Sequence, residues 1–573
     1  MMTTGSTGST FPKWQLALLI GAPVAIGLGY LYWRKSADQG EGSGERLTKK
    51  KLADLKDKTI SLDGDSSEAK QQQQPDAKPL TGRDLALKHK NNGNAHFRAG
   101  KYDLAISEYD AAIEHCPTYE ASDRATYYQN RAAAYEQLQN WGAVIKDCTN
   151  AIECNPGYTK ALVRRAKAYE QQKDLEKALE DITAACIVDQ FQNKTTLVMA
   201  DRILRELGQQ HGKEAMKNKK EIYPSKQFID SYLSSFTNDP VRKLVVASSE
   251  PKGFIKAKAL FDKGEYEAVV AACTEEIESS ESESDYKLEA LVLRGTMYNL
   301  IACYEEAKQD LDAVSELETA DKRLRSNALI KRASLAMQTQ PETPGECFKY
   351  FARAEEIDAS NGDIYHHRGQ VYILTDRMDD AIADFERAYA LCPTSGIIAT
   401  HLCYAKYCQA NQNKDERGME RMKKRFDELL EQYADCVECY SILAQVLTEQ
   451  TKFAEADSCF ERALKVDPNN AQIYVHRGVL QLQWKGDFEE GVKLIKKAIQ
   501  IDSRCEFAYE TLGTIEVQRG NLVEAIRLFE QAIELARTEI TLVHLYSLKD
   551  AAVAQLRVAK NMGLSIGNIQ PNF

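Results

Sequence analysis

Five polar residues in the first third of the chain are placed where they could bind an anion together. Lys90 and Asn94 lie four residues apart in KNNGN, and Asn130 follows in YYQNRAAAY. Lys160 and Arg164 lie four residues apart in TKALVRRA. Cations crowded together repel one another, so such a cluster indicates a receptor for anions. The end of an acidic peptide offers two carboxylates close together, which ammonium groups and asparagine amides can bind through charge-assisted hydrogen bonds.

These residues can meet only if a repeated helical unit places them on one face. Segments such as PGYTKALVRRAKAYEQQKDLEKALEDITAACIVD and NAQIYVHRGVLQLQWKGDFEEGVKLIKKAI share a pattern. Each has a small residue, an aromatic residue or Leu three positions later, a turn, and then alanines in a second helix. The period is about 34 residues. Positions 2, 6 and 9 of each first helix recur as i, i+4 and i+7 and share one face, with position 5 beside them.

The pattern resembles the tetratricopeptide repeat, in which each unit is a pair of antiparallel helices. This resemblance implies an all-α superhelical solenoid of about eleven helix pairs, with the first helices lining a concave binding face. The five residues match the dicarboxylate clamp of tetratricopeptide co-chaperones. That clamp binds the C-terminal Glu-Glu-Val-Asp tails of the seventy- and ninety-kilodalton heat-shock chaperones. A solvated basic face is the alternative for any one of the five residues.

The units are predicted to fall in two groups. Residues 81–192 hold three units, which form an N-terminal domain with the clamp. Residues 193–249 lose the signature and are predicted to be a helical connector. Residues 250–573 hold eight more units and form a second domain with its own groove. Thr541 to Lys560 are predicted to close the array as a capping helix, because the end of a solenoid needs a cap.

An apolar segment precedes the repeats. The uncharged run from Leu16 to Trp33 predicts a transmembrane helix at 14–33 within an N-terminal anchor of residues 1–35. Basic residues cluster after this run, so the N-terminus is predicted to cross the membrane while the bulk of the chain stays in the cytosol. A cleaved signal peptide is the alternative, but the start of the chain is uncharged and the run ends in aromatic residues. Residues 36–80 are polar and predict a flexible spacer.

Composition and motifs exclude several classes of function. The net charge of −11 argues against a nucleic-acid binder. We find no Gly-rich phosphate loop, zinc-protease motif or nucleophile elbow, so we expect no enzyme, no cofactor and no metal site. The 14 cysteines are scattered singly, as free thiols in a reducing compartment are. Cys436 and Cys439 form the one close pair, which is weak evidence for zinc or redox chemistry.

The part of the chain that is predicted to form the second groove is acidic. Residues 251–573 carry 39 Lys and Arg against 53 Asp and Glu, a net charge of −14, whereas residues 1–250 carry +3. Such an acidic balance suits basic ligands, although a solvated acidic surface has the same composition. Glu438, at position 2 of the unit 437–470, is predicted to face this groove and to contact a precursor protein. Tyr440 and Gln445 are predicted beside it, with ordinary groove-lining residues as the alternative.

Anchor, spacer, three-unit clamp and eight-unit array follow the order of the seventy-kilodalton import receptors of the mitochondrial outer-membrane translocase. The chain resembles that family over nearly its whole length, including YVHRGVLQLQWKGD and FAYETLGTIEVQRGN. The resemblance implies a single-pass protein of the mitochondrial outer membrane, held in lipid by its anchor.

The same resemblance implies a set of partners. Heat-shock chaperones would deliver precursor proteins with internal targeting signals, especially carriers, and other translocase subunits would receive them. A membrane-tethered co-chaperone and a passive scaffold are the alternatives. The co-chaperone would not need eight further units, and for the scaffold the clamp would be incidental.

Overall fold

The computed structural model describes residues 81–246, 252–279, 285–339, 343 and 345–563. The predicted anchor (residues 1–35) and spacer (residues 36–80) lie outside the described residues. Among the helices that are described, none is long and apolar enough to cross a membrane.

The described residues form α-helices joined by short turns, with a 3-10 turn at Tyr266–Ala268. The helices up to residue 246 are α1 (Gly82–Arg98), α2 (Tyr102–His115), α3 (Ala121–Gln137), α4 (Trp141–Cys154), α5 (Thr159–Gln171), α6 (Leu175–Val188), α7 (Lys194–Lys217), α8 (Lys226–Ser234) and α9 (Pro240–Lys243). The next are α10 (Gly253–Lys263), α11 (Val269–Glu278), α12 (Lys287–Leu300), α13 (Tyr304–Ser315), α14 (Lys322–Thr339), α15 (Gly345–Asp358), α16 (Gly362–Leu374), α17 (Met378–Leu391) and α18 (Gly396–Gln412). The last are α19 (Glu416–Gln432), α20 (Val437–Glu449), α21 (Phe453–Val466), α22 (Ala471–Lys485), α23 (Phe488–Ile501), α24 (Glu506–Gln518), α25 (Leu522–Leu535) and α26 (Glu539–Met562).

Successive helices form the pairs that the repeat period predicts. Three pairs, α1 to α6, precede the non-repeat helices α7 to α9. Eight pairs, α10 to α25, follow before α26. The all-helical repeat fold predicted from the sequence is therefore confirmed within the described residues.

The close approach of two paired helices depends on a small residue at position 8 of the first helix. At Gly369 a Cβ atom would lie 2.9 Å from Cε1 of Phe385, and at Gly93 it would lie 2.6 Å from Cε1 of Tyr109. Both rings belong to the second helix of the same pair. Each ring thus lies in the space that a larger residue would need, which explains why the repeat signature requires a small one.

An arginine at position 7 joins the same two helices electrostatically, a feature that the sequence pattern did not reveal. In four units its guanidinium binds both carboxylate oxygens of an aspartate on the second helix, and these carboxylates are largely buried. The pairs are Arg131 with Asp147, Arg165 with Asp181, Arg294 with Asp310, and Arg368 with Asp384. Such bidentate geometry fixes the rotation of one helix against the other.

By their internal contacts the described residues form two compact units. The clamp unit contains residues 81–217, Gly513–Ile533 and 542–563. The groove unit contains the described residues of Asn218–Leu512 and Glu534–Thr541.

This grouping differs from the division expected from repeat spacing, which placed all of residues 250–573 in one domain. Residues 513–533 and α26 make the difference, and the residues of α26 from 542 onward pack against α7. A Cβ atom at Gly212 would lie 2.6 Å from Cγ2 of Val543, so the two helices are in close contact. Nδ1 of His211 lies 2.8 Å from Oδ2 of Asp550. The repeat signature reports which helices form pairs, but not which surface the closing helix covers.

We expect Gly369→Ala to destabilise the protein, because the added methyl group would meet the buried ring of Phe385. Overpacking of this kind costs about 1–3 kcal/mol. Gly142→Ala is the matched control, since a Cβ atom there would meet nothing closer than 4.0 Å. Urea unfolding followed by circular dichroism measures both variants. Equal stability of Gly369→Ala and wild type would contradict the steric role of position 8.

Candidate functional site

The candidate site of the clamp unit is built by the first helices of its first three pairs. The helix α1 starts at a capping box, in which the Thr81 side chain accepts the Asp84 N–H and the Asp84 carboxylate accepts the Thr81 N–H. The helix α3 packs beside both α1 and α5. The three helices therefore present their groove-facing positions side by side, as the repeat period predicts.

The structure brings two of the predicted residues into direct contact. Oδ1 of Asn94 accepts a hydrogen bond from Nδ2 of Asn130 at 3.3 Å and another from the Tyr109 hydroxyl at 2.8 Å. Burial raises the pKa of Tyr109 to about 12, so the hydroxyl stays protonated and donates. Because the Asn94 oxygen is occupied twice, its amide nitrogen is the group left to donate to a carboxylate.

Tyr109 is a positioning residue that the sequence pattern did not identify. Its ring lies over Gly93, the small residue at position 8, and its hydroxyl reaches the next residue in the chain, Asn94. The close helix contact and the orientation of Asn94 therefore have one cause. An aromatic residue sixteen positions after a glycine is the signal that could have indicated it.

The three cations of the cluster are in different states. Lys90 is half-buried and Lys160 is exposed, and neither forms an ion pair with any residue in the described ranges. Arg164 donates from Nε to Oε2 of Glu136 at 2.6 Å, and both side chains are about one-fifth exposed, at 21% and 20%. Arg164 also donates to the Gln129 carbonyl at 3.4 Å. Glu136, which was not predicted from the sequence, gives Arg164 an anionic partner within the protein.

This arrangement can bind carboxylates. Two ammonium groups without anionic partners and one amide nitrogen remain to donate. Arg164 can exchange or share its Glu136 contact with an incoming anion. Charge-assisted donors of this kind give shorter and stronger hydrogen bonds than neutral pairs.

Glu438 lies in the first turn of α20, where it helps to line a cavity of about 740 Å³. Other lining residues come from α9 and from the turn between α19 and α20, including Arg242, Lys243 and Asp435. Burial raises the pKa of the half-buried Glu438 carboxyl. The cavity thus places side chains of both signs around one opening within the groove unit.

The other two residues predicted for this groove are packed inside the unit. Tyr440 is 4% exposed and its ring lies 5.0 Å from the Arg462 guanidinium carbon. Gln445 is 6% exposed and donates to Oε1 of Glu449 at 3.3 Å. Neither side chain presents a surface to a ligand in this structure, so their contact with a precursor stays a prediction.

Comparison with known proteins places the chain beside a group of full-length relatives. Tetratricopeptide-repeat family models match residues 362–395 and 443–504. The mitochondrial import receptor subunit TOM70 of Homo sapiens is 43% identical over 96% of this chain and 93% of its own length. The protein of that name from Rattus norvegicus is 42% identical over 98% and 94%. The crystal structure of yeast Tom70 has 24% identity and a TM-score of 0.48, covering 84% of this chain and 99% of its own.

We expect Tyr109→Phe to weaken carboxylate binding at this site severalfold while leaving the fold intact. The ring still fills the space over Gly93, but Asn94 loses the donor that orients it, and one hydrogen bond is worth about 1 kcal/mol. Tyr135→Phe is the control, because the structure gives its hydroxyl no hydrogen bond to any of the five residues. Calorimetric titration with an acidic peptide measures both variants, and equal affinities would remove Tyr109 from the site.

Proposed function

Because the chain belongs to the family of TOM70 mitochondrial import receptor subunits, we propose that it docks heat-shock chaperones and receives precursor proteins from them. The chaperones are those of the seventy- and ninety-kilodalton families, held by their Glu-Glu-Val-Asp tails. Their cargo is precursors with internal targeting signals, especially carriers, which pass on to other subunits of the translocase. Neither a repeat array nor an import receptor is a catalytic kind of protein.

The observation that carries the chaperone proposal is the hydrogen bond between Asn94 and Asn130. Lys90, Lys160 and Arg164 lie on the same set of first helices. A tail that ends in aspartate carries a terminal carboxylate and a side-chain carboxylate close together. The two asparagines suit the terminal carboxylate, because the Asn94 oxygen is already occupied and its nitrogen can donate. Lys160 and Arg164, on neighbouring turns of α5, suit the side-chain carboxylate.

The cargo proposal rests on the groove unit. Its cavity carries Glu438 and Asp435 on the repeat array, and these carboxylates suit the basic face of an amphipathic precursor segment. A membrane-tethered co-chaperone would have no use for such a groove, so the receptor is the better proposal.

The proposed location follows from the anchor. Residues 1–35 hold the protein in the mitochondrial outer membrane as a single span, with the N-terminus in the intermembrane space. The repeats then face the cytosol, where the chaperones are.

We expect Arg164→Ala to remove measurable binding of a Glu-Glu-Val-Asp peptide. Losing one member of a charge-assisted pair costs about 2–5 kcal/mol, enough to take micromolar binding out of range. Lys146→Ala is the control, since it removes one positive charge from an exposed side chain on α4, the second helix of a pair. Both variants should unfold at nearly the wild-type temperature. Unchanged peptide affinity in Arg164→Ala would exclude the clamp.

We expect Glu438→Gln to weaken capture of a carrier precursor severalfold and to reduce the salt dependence of capture. The substitution keeps the side chain's size and removes its charge, and screening acts over about 8 Å at physiological ionic strength. Glu420→Gln is the control, because Glu420 is exposed on α19 and does not line the cavity. Binding of the Glu-Glu-Val-Asp peptide should not change. Loss of both bindings would indicate misfolding, and undiminished capture would exclude Glu438.

A further inference from the structure

A non-repeat stretch of the chain lies against the first helices of the groove unit. We call residues 225–243, which contain α8, α9 and the turn between them, the inner segment. It contacts α14 and α16 at Lys331, Asp363, His366 and His367. These four residues stand at positions 6, 2, 5 and 6 of their units, which start at residues 326 and 362. The clamp residues occupy the same set of positions.

The inner segment gives the groove a carboxylate. Nζ of Lys331 lies 2.8 Å from Oδ2 of Asp239, and both side chains are only 2% exposed. Lys331 stands at position 6, as Arg164 does in the clamp unit. In the groove unit, the cation at position 6 therefore binds a carboxylate of the same chain. In the clamp unit, the cation at position 6 is proposed to bind a carboxylate of a chaperone tail.

Backbone and aromatic contacts complete the interaction. The Asp363 carboxylate accepts the N–H groups of Thr237 at 2.9 Å and Asn238 at 2.7 Å. The Phe236 ring lies 4.3 Å from the His367 ring, measured between centroids. The groove thus contacts an aromatic side chain, two backbone N–H groups and a carboxylate of the inner segment, and peptide-binding grooves recognise groups of these kinds.

The inner segment also lines the cavity. Arg242 and Lys243 follow Asp239 in the chain and line the cavity together with Glu438 and Asp435. Two basic residues of a non-repeat segment thus stand where a basic precursor is proposed to bind.

The inner segment does not satisfy every buried polar group of the groove. Several side-chain atoms at groove-facing positions have no hydrogen-bond partner in the described part of the chain, although their residues are at most 2% exposed. They are both amide atoms of Asn327, Oε1 of Gln370 and Nε2 of His401. Buried polar groups without partners cost free energy, so a peptide that paired them would bind better than the resident one.

We propose that the inner segment is an internal pseudo-ligand, which a precursor segment displaces when it binds the groove. This inference rests on the proposed function, because it concerns how the same groove receives its cargo. A displacing segment combines an aromatic residue, backbone N–H groups for Asp363 and basic residues for the cavity. The groove is then closed to weak ligands, and only a segment that outcompetes residues 225–243 opens it.

A disulfide can hold the inner segment in place. Nδ2 of Asn238 lies 3.1 Å from Sγ of Cys392, a buried free thiol at the end of α17. In Asn238→Cys a second thiol stands within reach of Cys392. Mass spectrometry of unreduced peptides verifies the crosslink, and Asn238→Ser is the matched control without a crosslink.

The experiment compares capture of a radiolabelled carrier precursor by full-length protein before and after reduction. We expect oxidised Asn238→Cys to capture at least tenfold less precursor than the same sample after dithiothreitol, and Asn238→Ser to be insensitive to the reductant. Binding of a Glu-Glu-Val-Asp peptide should be equal in all samples, which shows that the fold is intact. Equal capture by the crosslinked and reduced forms would overturn the proposal. Failure of the wild type to capture precursor would instead refute the proposed function.

Hydrogen exchange supplies a second measurement that needs no crosslink. In the free protein the amides of Thr237 and Asn238 should be protected, because they donate to the buried Asp363 carboxylate. Saturation of the wild type with the carrier precursor should raise their exchange rates at least tenfold. Protection that persists while precursor is bound would overturn the proposal independently of the disulfide.

Discussion

The distance between the two helices of a pair is the constraint on which the rest of the structure depends. A ring of the second helix occupies the place of a missing side chain on the first, at Gly93, Gly369 and Gly513 alike. That contact fixes the separation of the helices, while bidentate ion pairs such as Arg131 with Asp147 fix their rotation. In the first pair the same ring orients Asn94, so the packing that forms the repeat also builds the candidate binding site.

Both units use one face of the first helices, but for different occupants. In the clamp unit Lys90 and Lys160 have no anionic partner among the described residues. In the groove unit the equivalent residues Lys331, Asp363, His366 and His367 are buried against residues of the same chain. Burial lowers the pKa of His366 to about 4, so its imidazole stays neutral at physiological pH and can pair with neutral backbone groups. This helix face is suited to carboxylates in the clamp unit. In the groove unit it is suited mainly to backbone groups and to one carboxylate.

Local periodicity predicted the features that depend on single helices. The helix pairs, the small residues at position 8 and the common face of Asn94 and Asn130 all follow from the repeat period, which alignment of the units reveals. Glu136 could not be predicted as the partner of Arg164, since that contact joins two units and has no fixed spacing. The contacts of Asp239 and Asp363 with residues about a hundred positions away have no periodic signal at all. The anchor and the roles of Tyr440 and Gln445 stay predictions.

The packing of α26 against α7 has a consequence for how the protein is made. His211 and Asp550 are 339 residues apart in the chain, yet they share a hydrogen bond within one compact unit. A ribosome adds about 5–20 residues per second, so roughly 20–70 s separate the synthesis of the two residues. During that time the face of α7 that α26 will cover has no partner, although the first three repeats have already emerged. The unit that is proposed to recruit chaperones therefore completes its own folding only after residues 542–563 have been synthesised, and until then it leaves a helix face of its own uncovered.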